Sequence, residues 1–426
     1  VHLQRRRVKP PWLSALQSIE QERKVTPMLL RHAATLFTLH LMICAIPAIA
    51  GDDPLFAEHH PYEAGDRPGM VAIANLDGDR LADLVVANNW ADTIWVLWNQ
   101  NRGSFDSHVE CATENTPVWV ALGHLDEDAH EDIAVANHWS NSVSIIMNNG
   151  DRTFAQQVTY PVGTNPYCVV IADLDGDGDN DLAVANLNSD SVSILLNNGD
   201  GTFTPGDIIG TGDGPISIDA ADLDGDSDVD LAVANHHDGT ILILLNNGNA
   251  EFEQGQTYQV GLTPDMVLIA DLDWDCDADL ATANVSVNTL SVLLNHGDAT
   301  FADQVVYPVG LDPHTVAAAD LDGDGDVDLA TSNLDSNNVS ILLNLCGSGG
   351  FTSAGEYGVG AHPLGLAAAD MDADVDIDLV TANGDDDTVS VLKNLTRTMC
   401  WSDVDGDGDV DTADLLILLA DWGACP

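Results

Sequence analysis

Seven copies of one 49-residue unit, each holding four short β-prone runs and one acidic loop, predict an all-β protein: a seven-bladed β-propeller of four-stranded blades. Three columns of single residues carry the repeat. Phenylalanine stands at Phe56, Phe105, Phe154, Phe203, Phe252, Phe301 and Phe351, and proline at Pro68, Pro117, Pro166, Pro215, Pro264, Pro313 and Pro363. Asparagine repeats in the same register at Asn88, Asn137, Asn186, Asn235, Asn284, Asn333 and Asn383. The one step of 50 falls in the turn over 346–350, where a loop absorbs an extra residue.

The elements follow in one order, seen in the third copy. Residues 168–172 form the first strand and lead into an acidic loop; residues 182–185 form the second and 191–196 the third. A turn over 197–201, rich in Asn, Gly and Asp, then leads to a fourth strand over 203–209. The runs are β-branched and too short for helices, and a β-helix would need a much shorter period. Alanine recurs in the first strand, as at Ala318, Ala319, Ala368 and Ala369, as expected where strands crowd a common axis. The last copy stops after 389–393 without a fourth strand, whereas 56–62 reads as a fourth strand with no first. The N-terminal strand is therefore expected to complete the seventh blade and cover its edge.

The acidic loops begin at Asn75, His124, Asp173, Asp222, Asp271, Asp320 and Asp370. Side chains at loop positions 1, 3, 5 and 9, with a carbonyl at position 7, would give a hard cation five or more oxygens. Calcium fits that number better than magnesium, which keeps its own waters in a stricter octahedron. The expected ligands are Asn75, Asp77, Asp79 and Asp83; Asp126, Asp128 and Asp132; Asp173, Asp175, Asp177 and Asp181; and Asp222, Asp224, Asp226 and Asp230. The later copies supply Asp271, Asp273, Asp275 and Asp279; Asp320, Asp322, Asp324 and Asp328; and Asp370, Asp372, Asp374 and Asp378. His124 makes the second loop the weakest, and Trp274, Cys276, Ala373 and Val375 crowd the turns of the fifth and seventh.

Composition narrows the function. From residue 51 onward there are 67 acidic side chains and 6 basic ones, so binding to nucleic acid or to anionic lipid through basic patches is excluded. The 45% hydrophobic content, in register, excludes disorder. Residues 28–50 read as a signal peptide: Arg31 and His32, an apolar run, then Ala48 and Ala50 before the cut. A single transmembrane anchor is the other reading, but the run is short and holds His40 and Pro47. Residues 1–27 are polar and begin with Val, as expected of a start placed upstream of the initiator Met28. The mature chain would be an extracellular or cell-surface monomer, with the propeller over 51–397 and a tail over 398–426.

These copies resemble FG-GAP or VCBS repeats, the blades of the integrin alpha-chain propeller and of many secreted bacterial proteins. The resemblance covers 55–395 and rests on the Phe and Pro columns with the D-x-D-x-D-G-x-x-D loops. It implies calcium loops between the first two strands on one face and a ligand site on the opposite face. That face holds the loops before each recurring proline and after each recurring asparagine.

In the tail, Asp403, Asp405, Asp407 and Asp414, with the carbonyl of Asp409, occupy EF-hand positions 1, 3, 5, 12 and 7, for an eighth calcium site. The segment resembles one half of a dockerin, which implies a cohesin-like or cell-envelope anchor; a purely structural calcium loop is the alternative. Cys400 and Cys425 flank it, and a disulfide between them would staple a unit too small for its own core.

On the expected ligand face, Trp90, Trp139, His138, His236 and His237 follow the recurring asparagines and suit a sugar stacked on aromatic rings. The first reading is a calcium-stabilised module that binds a glycan or a cell-surface protein. A polysaccharide lyase using His236 and His237 is the alternative, and a pure scaffold the third. No catalytic serine, cysteine or zinc constellation stands out.

Overall fold

A computed structural model describes residues 54–100 and 102–396. The expected signal peptide, the start at Met28, and the tail with Asp403, Asp405, Asp407, Asp414, Cys400 and Cys425 lie outside the described residues.

Within them the chain folds into seven antiparallel four-stranded sheets, one per repeat. The third blade has strands Pro166–Ala172, Asp181–Asn186, Ser191–Asn197 and Phe203–Gly210, within a residue or two of the sequence reading. In every blade the recurring proline pairs with the recurring asparagine, from Pro68 with Asn88 to Pro363 with Asn383. That register sets both residues at one end of the sheet and the acidic loop at the other.

First strands pack side by side around the axis, from Pro68–Ala74 through Pro363–Ala369 and back again. Second strands, such as Asp181–Asn186 (DLAVAN), are buried along their whole length because a neighbouring blade covers each face. Outer strands meet water on one face, and Ser107–Ala112 alternates accordingly. Hydrophobic clusters lie between blades; one joins Ala183 and Val192 of the third blade to Leu231 and Leu242 of the fourth. Five phenylalanines of the column seal these seams edge-on against tyrosines, with centroid separations of 5.4 Å for Tyr160–Phe203 and 5.2 Å for Tyr258–Phe301.

Closure follows the expected route. His60–Glu63 pairs antiparallel with Thr388–Leu392 as the fourth strand of the seventh blade, and Phe56 bridges Asn394. Leu55 N–H donates to the Tyr357 hydroxyl at 2.9 Å, fastening the segment to the sixth blade.

Candidate metal loops and the opposite face

The third acidic loop shows how its turn is built. Asp173 accepts from the N–H groups of Gly176 (2.8 Å) and Gly178 (3.1 Å), Asp175 from Asp177 (3.2 Å) and Asp177 from Asp179 (3.0 Å). These bonds require left-handed backbone at positions 4 and 6, which glycine adopts freely: φ is 75° at Gly176 and 96° at Gly178. The expected obstacles do not block the turn elsewhere. Trp274, Cys276, Ala373 and Val375 take φ of 63°, 74°, 62° and 82° in the same conformation. Among the described loops, only the one beginning at His124 lacks positive φ at both positions, and there the imidazole Nδ1 pairs with the His130 carbonyl at 3.0 Å.

Position 9 is the anchor. Asp181 is buried; its Oδ2 accepts from Leu174 N–H at 3.0 Å and its Oδ1 from Asn197 N–H at 2.8 Å. The Asn197 side chain then donates across the seam to the Leu125 carbonyl of the preceding loop at 3.0 Å, and to Asn180 O at 2.8 Å. The same bridge recurs from Asn99, Asn148, Asn246, Asn295, Asn344 and Asn394. This asparagine column locks each acidic loop to the next blade. Sequence reasoning passed over it, although its spacing is the same 49 or 50 residues.

Carboxylate oxygens converge within 4.8 Å of one another in five loops: Asp173, Asp175 and Asp181; Asp222, Asp224 and Asp230; Asp271, Asp273 and Asp279; Asp320, Asp322 and Asp328; and Asp370, Asp372 and Asp374. The position-5 residues Asp177, Asp226, Asp275 and Asp324 are exposed beside their triads, and Asp378 stays outside its own. No such triad forms from Asp77, Asp79 and Asp83 or from Asp126, Asp128 and Asp132. Burial, reinforced by neighbouring carboxylates, pushes Asp181 and Asp230 up to about 6, Asp279 to about 7 and Asp328 to about 8, although each accepts two backbone N–H groups. The buried Asp273 Oδ1 has no hydrogen-bond partner. An all-oxygen donor set short of positive charge is what a hard divalent cation satisfies, so the residues fit calcium.

The opposite face carries the other expected residues on three blades. Trp90 and Trp139 are 67% and 66% exposed. The Arg67 guanidinium lies 4.7 Å from the Trp90 ring, and His138 meets Trp139 edge-on at 4.9 Å and Tyr167 at 5.8 Å. His237 is exposed and pairs with Asp213 at 3.0 Å. His236 turns instead toward a charged group at the axis, which the sequence reading missed.

That group is Asp265. Its Oδ2 pairs with His314 Nδ1 at 2.6 Å, and its Oδ1 lies 3.4 Å from His236 Nδ1. Asp265 and His314, with Met70, Trp119, Tyr167 and Thr315, line a cavity of about 40 Å³ at the axial mouth. Burial pushes the Asp265 carboxyl up, but His314 and His236 outweigh it and bring it down to about 2. Burial likewise depresses His314, and Asp265, Asp312 and Asp335 more than reverse it; the bond to Asp265 raises His236. Asp265 and His314 each follow the recurring proline, 49 residues apart. In the other copies that position is Gly69, Val118, Tyr167, Ile216 and Leu364, so no repeated residue type marks it.

Fold, register and loop pattern together define an FG-GAP-type propeller. The chain belongs to the FG-GAP-like repeat family, whose repeat matches residues 75–135, 124–184, 173–233, 222–282, 271–331 and 320–381. Two solved structures show the same fold at low identity. One is BBS1N in complex with ARL6DN, at 16% identity over 81% of this chain and 98% of that one, with a TM-score of 0.60. The other is virginiamycin B lyase from Staphylococcus aureus, at 12% identity over 79% of this chain and 99% of that one, with a TM-score of 0.54. A comparison with proteins of curated function returns no match.

Proposed function

We propose that the protein is a secreted, calcium-stabilised binding module whose ligand meets the face opposite the acidic loops, with the tail over 398–426 as its tether. One observation carries this reading: Trp90 and Trp139, the large aromatics most exposed in the ring, stand on that face over neighbouring blades. Each is held by a cationic or aromatic neighbour rather than by packing, which leaves its ring free to stack on a sugar or a protein side chain. The acidic loops and the asparagine bridges keep the blades, and hence this face, in fixed relation. A propeller of this fold, BBS1N, is found in complex with ARL6DN, which accords with use as a binding scaffold.

The Asp265–His314 pair favours a second reading, acid–base chemistry on a bound glycan, because a carboxylate on Nδ1 orients an imidazole. One feature opposes it: the scarcity of basic residues leaves little to hold a polyanionic substrate. A glycan-array screen of residues 51–426 in millimolar calcium, with product analysis on every retained glycan, separates the readings. Retention without cleavage, lost in Trp90→Ala or Trp139→Ala at unchanged stability, is the expected result. Cleavage would transfer the assignment to Asp265 and His314, and retention of nothing on the array would remove the glycan and leave a protein partner.

A further inference from the structure

Two basic side chains enter acidic loops, and each breaks the repeat to do so. The position two residues before the recurring phenylalanine overlies the acidic loop of the preceding blade. Ala250 and Ala299 donate their N–H there to Leu174 O (2.8 Å) and Leu223 O (2.9 Å), and a Cβ on Gly349 would stand 3.3 Å from Asp273 Cβ. Gly103, Gly201, Ala250, Ala299 and Gly349 keep that position small. Apart from Pro54 before Phe56, Arg152 is the exception, at φ 65°, where glycine is the easier residue. Its guanidinium lies 5.3 Å from the Trp98 ring, pairs with Asp77 and stands 3.7 Å from Asp79. The Asp77 side chain is only 4% exposed beneath it.

The second break lies at the end of the third strand. The repeat places Trp98, Met147, Leu196, Leu245, Leu294 and Leu343 there, and then Lys393. Lys393 Nζ donates to Asp372 Oδ2 at 2.8 Å and to Arg102 O at 3.0 Å. Asp77 and Asp372 both occupy loop position 3, so two unrelated substitutions bring a positive charge to the same ligand of two loops. Both loops keep the left-handed turn of the others, through Gly78 and Arg80 and through Ala373 and Val375. Their backbones are ready for an ion, yet a side-chain cation already pairs with the carboxylate at position 3.

We infer that Arg152 and Lys393 are resident cations that take the place of the divalent ion in the loops at Asn75 and Asp370, while those at Asp173, Asp222, Asp271 and Asp320 take the ion. The inference rests on the calcium reading. A monovalent side chain cannot share a carboxylate oxygen with a divalent ion at ordinary distances without strong repulsion. The Asp370 loop belongs to the blade that His60–Glu63 completes and the Asn75 loop to the blade beside it, so the closure of the ring is held by charges that a chelator cannot remove.

Native mass spectrometry of the full chain, desalted and then titrated with calcium chloride alone, tests this by counting ions. Arg152→Gly and Lys393→Leu restore residues that the repeat itself uses at those positions, which favours folding, and Arg152→Lys keeps a charge in place. Each of the first two is expected to bind one calcium more than the wild type, the pair together two more, and Arg152→Lys none. A wild-type chain that binds calcium, with the count unchanged in all variants, overturns the inference and leaves the calcium reading intact. No calcium on any form overturns both. If a variant does not fold, terbium titration of the wild type decides: luminescence sensitised by Trp98 at the Asn75 loop, lost in Trp98→Phe, contradicts the assignment.

Discussion

Single residues in this propeller do two jobs at once, and the asparagines that end the third strands show it most plainly. The Asn197 side-chain amide donates to the Leu125 and Asn180 carbonyls, one on each side of a blade seam. Asn197→Ala would leave the buried Leu125 carbonyl unpaired, and the expected loss is about 1–3 kcal/mol in a urea melt. The axial cluster makes a second residue-scale prediction. Asp265 sits far below its unfolded value near 3.9, so its stabilisation is complete above about pH 4 and is lost only as pH falls through about 2. His236 and His314 are raised above their unfolded value near 6.5, so their share is complete below it and is lost as pH climbs through the raised values. Thermal melts across pH should therefore show the difference between wild type and Asp265→Asn largest between about pH 4 and 6, shrinking on the alkaline side. A difference that grows there would contradict the pairing of Asp265 with charged His236 and His314.

At the scale of elements, the repeat was open to reading because strand, turn and loop residues recur in register: Phe packs a seam, Pro and Asn mark one sheet end, and Asp marks the other. The join at His60–Glu63 was legible for the same reason, as a fourth strand without a first. What escaped were positions where the seven copies differ. Asp265 and His314 occupy a column of five other residue types, and only the closed ring brings their side chains together across neighbouring blades. Arg152 and Lys393 likewise gain meaning only once packing shows which loop each overlies. Loss of convergence at Asp77, Asp79 and Asp83 was not visible in the spacing, which is that of the complete loops. The join itself can be tested by removing residues 54–63. That would bare the edge of Thr388–Leu392 and the Phe56 socket, and the expected result is a lower melting temperature with self-association on size-exclusion chromatography. An unchanged monomer would show that the strand merely decorates the blade.

At the largest scale the described residues form a ring in which each acidic loop is bonded to the next blade, so charge in the loops and cohesion of the ring are coupled. Without a divalent ion, five loops hold carboxylates pressed within 4.8 Å of one another, and burial raises the position-9 carboxylates of these loops well above the ordinary carboxylate range. The face that bears Trp90 and Trp139 depends on this ring for its shape, because its loops are fastened across blades, as Trp90 N–H is to Asp66 O. An ion bound only by the folded state stabilises it by about 2.7 kcal/mol per site at a hundredfold excess over its dissociation constant. The most direct measurement is thermal unfolding of the full chain in excess calcium and after exhaustive chelation. A melting temperature that falls sharply on chelation and recovers with added calcium is the expected result; superimposable curves would contradict the account.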